Sequence, residues 1–572
     1  MRLQQILPRA SRELPRHPGP LSTRRLLQAG FIREPAPGYF SAMPLLQASL
    51  ARLSKLLQEV LISAGGQELA WPMLLPSQPA TPPGLPGESR PDFEMMGRDG
   101  STLMVGVPDD FKILKLLAQE LRSYKQLPQL FFQSRRAWRD SCQAKAGLAA
   151  SREYPALQAW ALADTQERLP LGQTFGEAVV QPLRVRLGLP LIMAEAEPGP
   201  ADAPSGRVVL FPLLQGPAAA LRCLACGYSA TLEWAASRLP QYTEDARPAE
   251  REAVYGPGLI QVEPLARHLG IPVWKTTKML LFMADQRPVA VMLRGDSYAS
   301  ESKLARFLWC RRLELASPEI VRELTGAEVG YAGPVGLSPT VTVLADLETR
   351  NRINFECGAN RTAYHLINVN FGRDLPVPIF GDFKRAAEGH FCTRCHTGQL
   401  RAEACFPVGR MDLWTPELVA GTGCSYPDRD GLSRSPWLAS LGLDLFAMTA
   451  ALAEVYHDEQ CLLWPPEVAP CLVHLIGLNL EEEAVAQAAQ TLYQELERNG
   501  LSTLFDDRDL KAGDKFAEAE LIGLPVQLTI SRRTIQSGQL ELKFRTRPEK
   551  ELLPPEQAII RIREQLQTPS GS

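Results

Sequence analysis

The sequence lacks a long apolar run, a net charge of consequence and an even set of cysteines, and each lack narrows what the chain can be. No stretch of about 18 or more apolar residues occurs in its 572 residues, which argues against a helical membrane span. The net charge is −3, so no global basic field draws in a nucleic acid. An RNA contact has to come from local patches, and a DNA partner is not expected. The opening residues, MRLQQILPRASRELPRHPGPLSTRR, contain no apolar segment of the secretory kind. They are Arg-rich and poor in acids, as transit peptides are, but their prolines interrupt any amphipathic helix. The cytoplasm is the expected compartment. Eleven cysteines, including two C-x-x-C pairs, suit a reducing compartment with a metal site better than a disulfide framework.

What is present reads as two to four domains of mixed type. A long amphipathic helix is predicted over 44–64, a proline-bearing edge strand over 67–76 and an irregular loop over 77–91. Strand, helix and strand follow at 102–107, 109–124 and 129–133. Loops at 196–207 and 240–252 precede an α+β unit with strands at 280–282, 289–293 and 340–344 and helices at 301–308 and 318–324. From about Pro465 strands and helices alternate, with helices at 481–499, 515–521 and from Pro555, which reads as a small α/β domain.

Two stretches carry chemistry. Ile353–Pro376, INFECGANRTAYHLINVNFGRDLP, packs Asn-rich turns, one histidine and Arg373-Asp374 into a segment with little helical periodicity, the pattern of a strand-and-loop platform. Upstream, Val273-Trp-Lys-Thr-Thr-Lys-Met-Leu-Leu-Phe282 sets two lysines at the mouth of an apolar strand. Each residue also has a structural reading. Lys278 can be a solvated strand start, His365 a satisfied core histidine and Asp346 a turn cap, while Cys357 reads as a buried thiol.

A series of motifs in one order resembles the bacterial-type prolyl-tRNA synthetases, class II enzymes with an editing insertion. It comprises Met1-Arg-Leu3, Ala29-Gly-Phe-Ile-Arg33 with Pro37-Gly-Tyr-Phe40, Ser123-Tyr-Lys-Gln-Leu-Pro128, Trp138-Arg-Asp140, Lys275-Thr-Thr-Lys278 and Leu293-Arg-Gly-Asp296. Gly333-Pro-Val-Gly-Leu337, Gly358-Ala-Asn360, Asn368-Val-Asn370, Arg373-Asp374, His457-Asp-Glu459, Phe505-Asp-Asp-Arg508 and Ala517–Pro525 complete it. The resemblance spans nearly the whole chain. It implies an α+β and α/β multidomain protein: a class II antiparallel-sheet catalytic fold in two parts (1–235 and 390–464), an inserted α+β editing domain (236–389) and a C-terminal α/β anticodon-binding domain (465–572). It further implies tRNA(Pro) as partner, with Asp506, Asp507 and Arg508 as candidate tRNA contacts, and a homodimer formed through the helix at 44–64.

The family's synthetic motifs are altered. ATP-dependent activation of proline needs fixed cations on the α-phosphate. The second class II motif keeps Arg139, Arg152 and Glu153 as substrate-binding candidates, but has Ser141 where a glutamate is expected and Gln143, Lys145 and Ala150 where the family has further arginines. The third has Asp444 for a glycine and Ala447 for the arginine. The amino-acid motif aligns with Pro108-Asp-Asp-Phe111, and a further segment is unrecognisable near 205–210. An alignment displaced by a few residues is the competing reading, in which the chain is a working proline-tRNA ligase using ATP and magnesium.

The editing pattern is better kept. The resemblance makes Lys278 the critical lysine with Asp346 and His365 facing it, and makes Gly333, Pro334, Gly358 and Asn360 pocket walls, for hydrolysis of mischarged, alanyl, tRNA. Lys275 reads as a surface lysine. The insertion's two ends must lie close together, which brings Cys223-Leu-Ala-Cys226 to Cys392-Thr-Arg-Cys395 as a four-cysteine structural zinc site. His390 and His396 are substitute ligands, and a redox C-x-x-C is the alternative. A third reading is a tRNA-binding subunit whose editing motif survives only for folding.

Overall fold

The computed structural model describes residues 1–70, 72, 74–76, 93–105, 109–139, 144–170, 175–198, 205–213, 216–244, 247–310, 312–459 and 461–567. The loop expected at 77–91, the tip of the 196–207 loop, and Pro108, Asp140, Ser141 and Gln143 lie outside the described residues.

A nine-stranded, largely antiparallel sheet forms the centre. Its order is Ser205–Pro212, Ile192–Ala196, Ser229–Thr231, Ala218–Cys223, Leu400–Trp414, Trp437–Asp444, Glu153–Ala163, Gln129–Trp138 and Gln67–Glu68. The 15-residue strand Leu400–Trp414 organises it. The first part of this strand pairs with Ala218–Cys223, and its later part with both Ser205–Pro212 and Trp437–Asp444. The register Cys223↔Leu400 therefore sets the two ends of the 224–399 segment side by side.

Two helices cover this sheet for different reasons. Pro44–Ser63 repeats leucine at helical spacing, burying Leu45, Leu46, Leu50, Leu53, Leu57 and Leu61 along one stripe. Leu445–Val455 is apolar all round and belongs to the core, with Leu445–Ala453 all buried. Asp444 caps its start, accepting from the Ala447 amide at 2.9 Å.

Besides the short pairing of Ser237–Arg238 with Phe391–Cys392 at its base, the inserted unit holds two larger sheets. The five-stranded one is ordered Leu313–Leu315, Thr277–Ala284, Arg287–Arg294, Thr342–Asp346, Ile379–Gly381. Strand alternation gives it two faces. One packs Phe282, Leu293, Leu344 and Phe383 with Leu304 of helix Glu301–Leu308. The other packs Met292 and Ala345 on Phe355, Cys357 and Val369, which lie on the three-stranded sheet Glu252–Tyr255, Tyr364–Val369, Phe355–Gly358. The C-terminal sheet runs Thr503–Asp506, Val473–Gly477, Val526–Ile530, Leu540–Phe544, Lys550–Leu553, the first three strands parallel and the last two antiparallel.

Several local readings change. Ile32–Ala36 and Tyr39–Ala42 form a hairpin that the sequence reading did not place as strands. The single strand expected at 67–76 divides: Gln67–Glu68 joins the central sheet, while Leu74–Pro76 pairs with Thr102–Val105 in another. The helix from Asp109 ends at Glu120, where a Ser123–Gln126 capping box starts a separate turn. Helix Val262–Leu269 and the two antiparallel C-terminal strands were not foreseen.

Candidate active sites of the inserted unit and the central sheet

Lys278 opens the central hairpin of the inserted unit, opposite Leu293. Its Nζ donates to the Ser297 carbonyl at 2.9 Å and lies 4.1 Å from the centroid of the Tyr298 ring. Partial burial pulls its pKa below the usual lysine value, against the opposing charge of Asp296.

Among the described residues neither Asp346 nor His365 hydrogen-bonds Lys278, and both are engaged elsewhere. By register, Asp346 lies one strand beyond Leu293, in the same row and on the same face as Lys278. Its carboxylate, however, is turned inward. Oδ1 accepts from the Glu348 amide at 3.0 Å, and Oδ2 from the amides of Phe383 and Lys384 at 2.9 and 2.8 Å. A carboxylate spent on three backbone donors ties the 381–384 segment to the strand end. His365 belongs to the three-stranded sheet, against the opposite face of the hairpin. It is 2% exposed, with Nδ1 2.9 Å from Glu356 Oε1 and Nε2 3.1 Å from the Leu259 carbonyl. This is the satisfied core histidine of the structural reading.

Glu356, which sequence reasoning passed over, is the hinge of this arrangement. Buried to 1%, it holds His365 with one oxygen and the Thr277 amide with the other, at 3.1 Å, so it joins the two sheets beside Lys278. A glutamate inside an apolar strand run was the available signal. Arg352 is buried nearby. It donates to Thr277 Oγ1 at 3.2 Å, and burial lowers its pKa to about 10 despite Glu244 and Glu356.

The glycine and asparagine motifs do form one wall. Asn360, at φ 50°, accepts from the Gly333 amide at 2.7 Å and donates to the carbonyls of Gly333 and Val335 at 2.9 and 2.8 Å. A Cβ on Gly333 would sit 1.7 Å from the Gly358 carbonyl oxygen. Only glycine permits that approach. The other polar groups of 353–376 serve the fold. Asn354, Asn368 and Arg373 bind the backbone of Arg247, Glu250 and Ala249, stitching the incoming segment onto the sheet.

Cys223, Cys226, Cys392 and Cys395 place their sulfurs within 4.8 Å of one another, with Cys223–Cys395 and Cys226–Cys392 at 3.6 Å. Four sulfurs each 2.3 Å from a tetrahedral zinc would stand about 3.8 Å apart, whereas a disulfide needs about 2.05 Å. The amides of Arg394 and Gly398 point at Cys392 and Cys395 sulfurs at 3.3 Å, so the donor set fits zinc. The two histidines are engaged elsewhere: His390 with Ser237 and His396 with Arg238, both at 3.0 Å.

On the central sheet, Arg139 forms a salt bridge with Asp444 and lies 4.1 Å from the centroid of the Tyr154 ring. Asp444 is thus the anion that Arg139 meets within the fold. Burial pushes its carboxyl up to about 6, opposed by Arg139. Ala447 is fully buried. Asp110 accepts from Trp160 Nε1 at 2.8 Å and Ser440 Oγ at 3.0 Å. Arg152 and Glu153 stay at the rim, Arg152 5.8 Å from the centroid of the Tyr39 ring and Glu153 3.9 Å from Arg136.

The candidate tRNA contacts separate. Asp506 and Arg508 form a buried bidentate pair at 2.8 and 2.7 Å, with Glu518 2.7 Å from the same guanidinium. At 0% and 4% exposure they are engaged within the C-terminal domain. Asp507 instead binds Arg2 at 2.8 Å, where the first residues pair with the edge strand.

Comparison with known proteins agrees with this architecture. Residues 257–375 match the family described as "Aminoacyl-tRNA editing domain", and 471–565 that described as "Anticodon binding domain". Proline–tRNA ligase of Moorella thermoacetica is 32% identical over 557 residues, 97% of this chain and 96% of that protein. The Dehalococcoides mccartyi ligase is 32% identical over 564 residues, 98% of each. A crystal structure of prolyl-tRNA synthetase from Cryptosporidium parvum with L-proline and AMP shares the fold at a TM-score of 0.54 and 11% identity, covering 96% of this chain and 75% of that one. With a central class II sheet, an editing insertion and a C-terminal anticodon-binding domain, the chain belongs to the bacterial-type prolyl-tRNA synthetase family.

Proposed function

We propose that this chain binds tRNA(Pro) and hydrolyses alanyl-tRNA(Pro) in its editing domain, while its capacity to activate proline is impaired. One observation carries the proposal. Arg139, one of the cations kept in the second motif, forms a salt bridge with Asp444, while Lys278 stands at the start of its strand in no salt bridge among the described residues. A phosphate entering the synthetic site competes with a built-in carboxylate, and losing one preorganised donor to a developing charge is worth about 3 to 4 kcal/mol in activation. A buried alanine in place of the third-motif arginine adds to that loss. Lys278 offers a cationic donor to an ester or phosphate oxygen. Asp346, His365 and Glu356 position its surroundings, and Gly333, Pro334, Gly358 and Asn360 form the wall. The four cysteines would hold a structural zinc, which closes the base of the insertion when bound. The chain works as a cytoplasmic homodimer.

ATP–pyrophosphate exchange with proline, beside alanine release from alanyl-tRNA(Pro), tests the reading. Exchange near zero with release that Lys278→Ala abolishes is expected. Robust exchange makes the chain a working proline-tRNA ligase and overturns the impairment. A second reading, a non-catalytic tRNA-binding subunit, draws on Asp346 and His365, whose polar atoms are all occupied within the fold. Absence of alanine release would favour it.

A further inference from the structure

Tyr298 follows the second strand of the editing hairpin and is 71% exposed, although its backbone is held firmly. Its carbonyl accepts from the Arg385 amide at 2.7 Å, and the neighbouring Ala299 bridges to Lys384. The Lys278 ammonium sits 4.1 Å from the ring centroid, itself fixed by the Ser297 carbonyl. One face of the ring is thus backed by a cation, and most of the side chain remains open to water. An aromatic ring beside a lysine donor is the pairing that takes a nucleotide: the base stacks on the ring and the ammonium reaches the adjoining oxygens. Lys278 keeps donors beyond the one spent on Ser297. Nothing in the packing of the domain requires an aromatic here, because Tyr298 belongs to none of its buried clusters.

We propose that Tyr298 is the stacking platform for the terminal base of the tRNA acceptor end, setting the ester beside Lys278. The inference deepens the editing reading and rests on it for the identity of the RNA. Tyr298 is a positioning residue of the site, one that sequence motifs alone did not mark.

The test uses the full chain and a tRNA(Pro) acceptor-stem minihelix, which has no anticodon, ending in single-stranded CCA or truncated to CC. Binding is followed by fluorescence anisotropy. Wild type should prefer the CCA end by about 10-fold, within the range of base–aromatic stacking. Tyr298→Phe should keep that preference, and Tyr298→Ala should lose it with an unchanged melting temperature, since the ring is exposed. An undiminished preference in Tyr298→Ala, or no preference in wild type, overturns the proposal. Alanine release separates the two readings. Release with a wild-type KM in Tyr298→Ala sinks the platform and leaves editing standing, whereas Tyr298-dependent binding without release sinks editing and leaves the platform.

Discussion

Replacing Asp444 by asparagine should stabilise the protein at neutral and alkaline pH, although it removes one partner of a buried ion pair. The asparagine side-chain oxygen would still cap the Leu445–Val455 helix. The carboxyl of Asp444 titrates at about 6 in the folded chain, because burial outweighs the pull of Arg139, against about 3.9 in an unfolded one. With the folded value the higher, the fold favours the protonated form. The contribution of this group is complete below about pH 3.9 and is lost as the pH rises through about 6. A shift of about two units amounts to about 3 kcal/mol by pH 8 and about half of that by pH 5. Asparagine resembles the protonated acid at every pH. The variant should therefore exceed wild type by about 3 kcal/mol at pH 8, and by about half as much at pH 5.

Urea unfolding of the two proteins across pH 5 to 8, compared at the same fluorescence transition, measures the gap. ATP binding gives an independent readout: freeing Arg139 from its internal anion should tighten ATP about 10- to 100-fold, the range of a charged hydrogen bond worth roughly 1.5 to 3 kcal/mol. A gap that stays constant with pH, or that favours wild type as the pH rises, would refute the reasoning. So would unchanged ATP affinity.

His474 supplies the opposite pH dependence. It is fully buried between Leu504 and Gln527 in the C-terminal sheet, neither ring nitrogen has a partner among the described residues, and burial lowers its pKa to about 4. The fold keeps the neutral ring, so stability present above about pH 6.5 should fall by about 3 kcal/mol as the pH drops through about 4. His474→Leu should flatten that part of the stability curve. Gly333→Ala forces the loop off the Gly358 carbonyl and strains the three Asn360 bonds. A loss of about 2 to 4 kcal/mol is expected, read as faster hydrogen exchange confined to 331–336 and 358–360. The purified chain should carry one zinc by elemental analysis. Cys226→Ser should lower occupancy, and chelation should lower the melting temperature of wild type but not of a zinc-free variant.

Element positions were legible because apolar spacing writes them directly. Pro44–Ser63, Val526–Ile530 and helices Glu301–Leu308 and Pro318–Thr325 of the editing domain stand within a residue or so of expectation. The cysteine cluster was legible for a topological reason, since an insertion leaves and rejoins one sheet at adjacent strands. Side-chain duties were not. The motif text names Asp346, His365, Asp506 and Arg508, yet whether a carboxylate faces a ligand or three amides depends on where distant backbone ends fall. Phe383 and Lys384 are 37 and 38 residues from Asp346. The same holds for Arg139, whose partner lies 305 residues away.

Asp444 and Ala447, the two residues that the resemblance sets in the third motif, bear on each other. Position 447 lies in the first turn of a helix buried all round, so Ala447→Arg alone would bury a guanidinium beside alanine and leucine, at a cost of several kcal/mol without a phosphate or carboxylate to meet it. Asp444→Gly alone would remove the cap of that helix, worth about 1 kcal/mol, a loss that asparagine avoids. Each reversal carries its own cost while the other change stands. An ATP molecule could offset both, because its phosphates would supply the anion that both arginines need. The double variant Asp444→Gly with Ala447→Arg should therefore be less stable than wild type in buffer and recover with added ATP and magnesium. A melting temperature indifferent to the nucleotide would refute ATP as the partner that these two positions share.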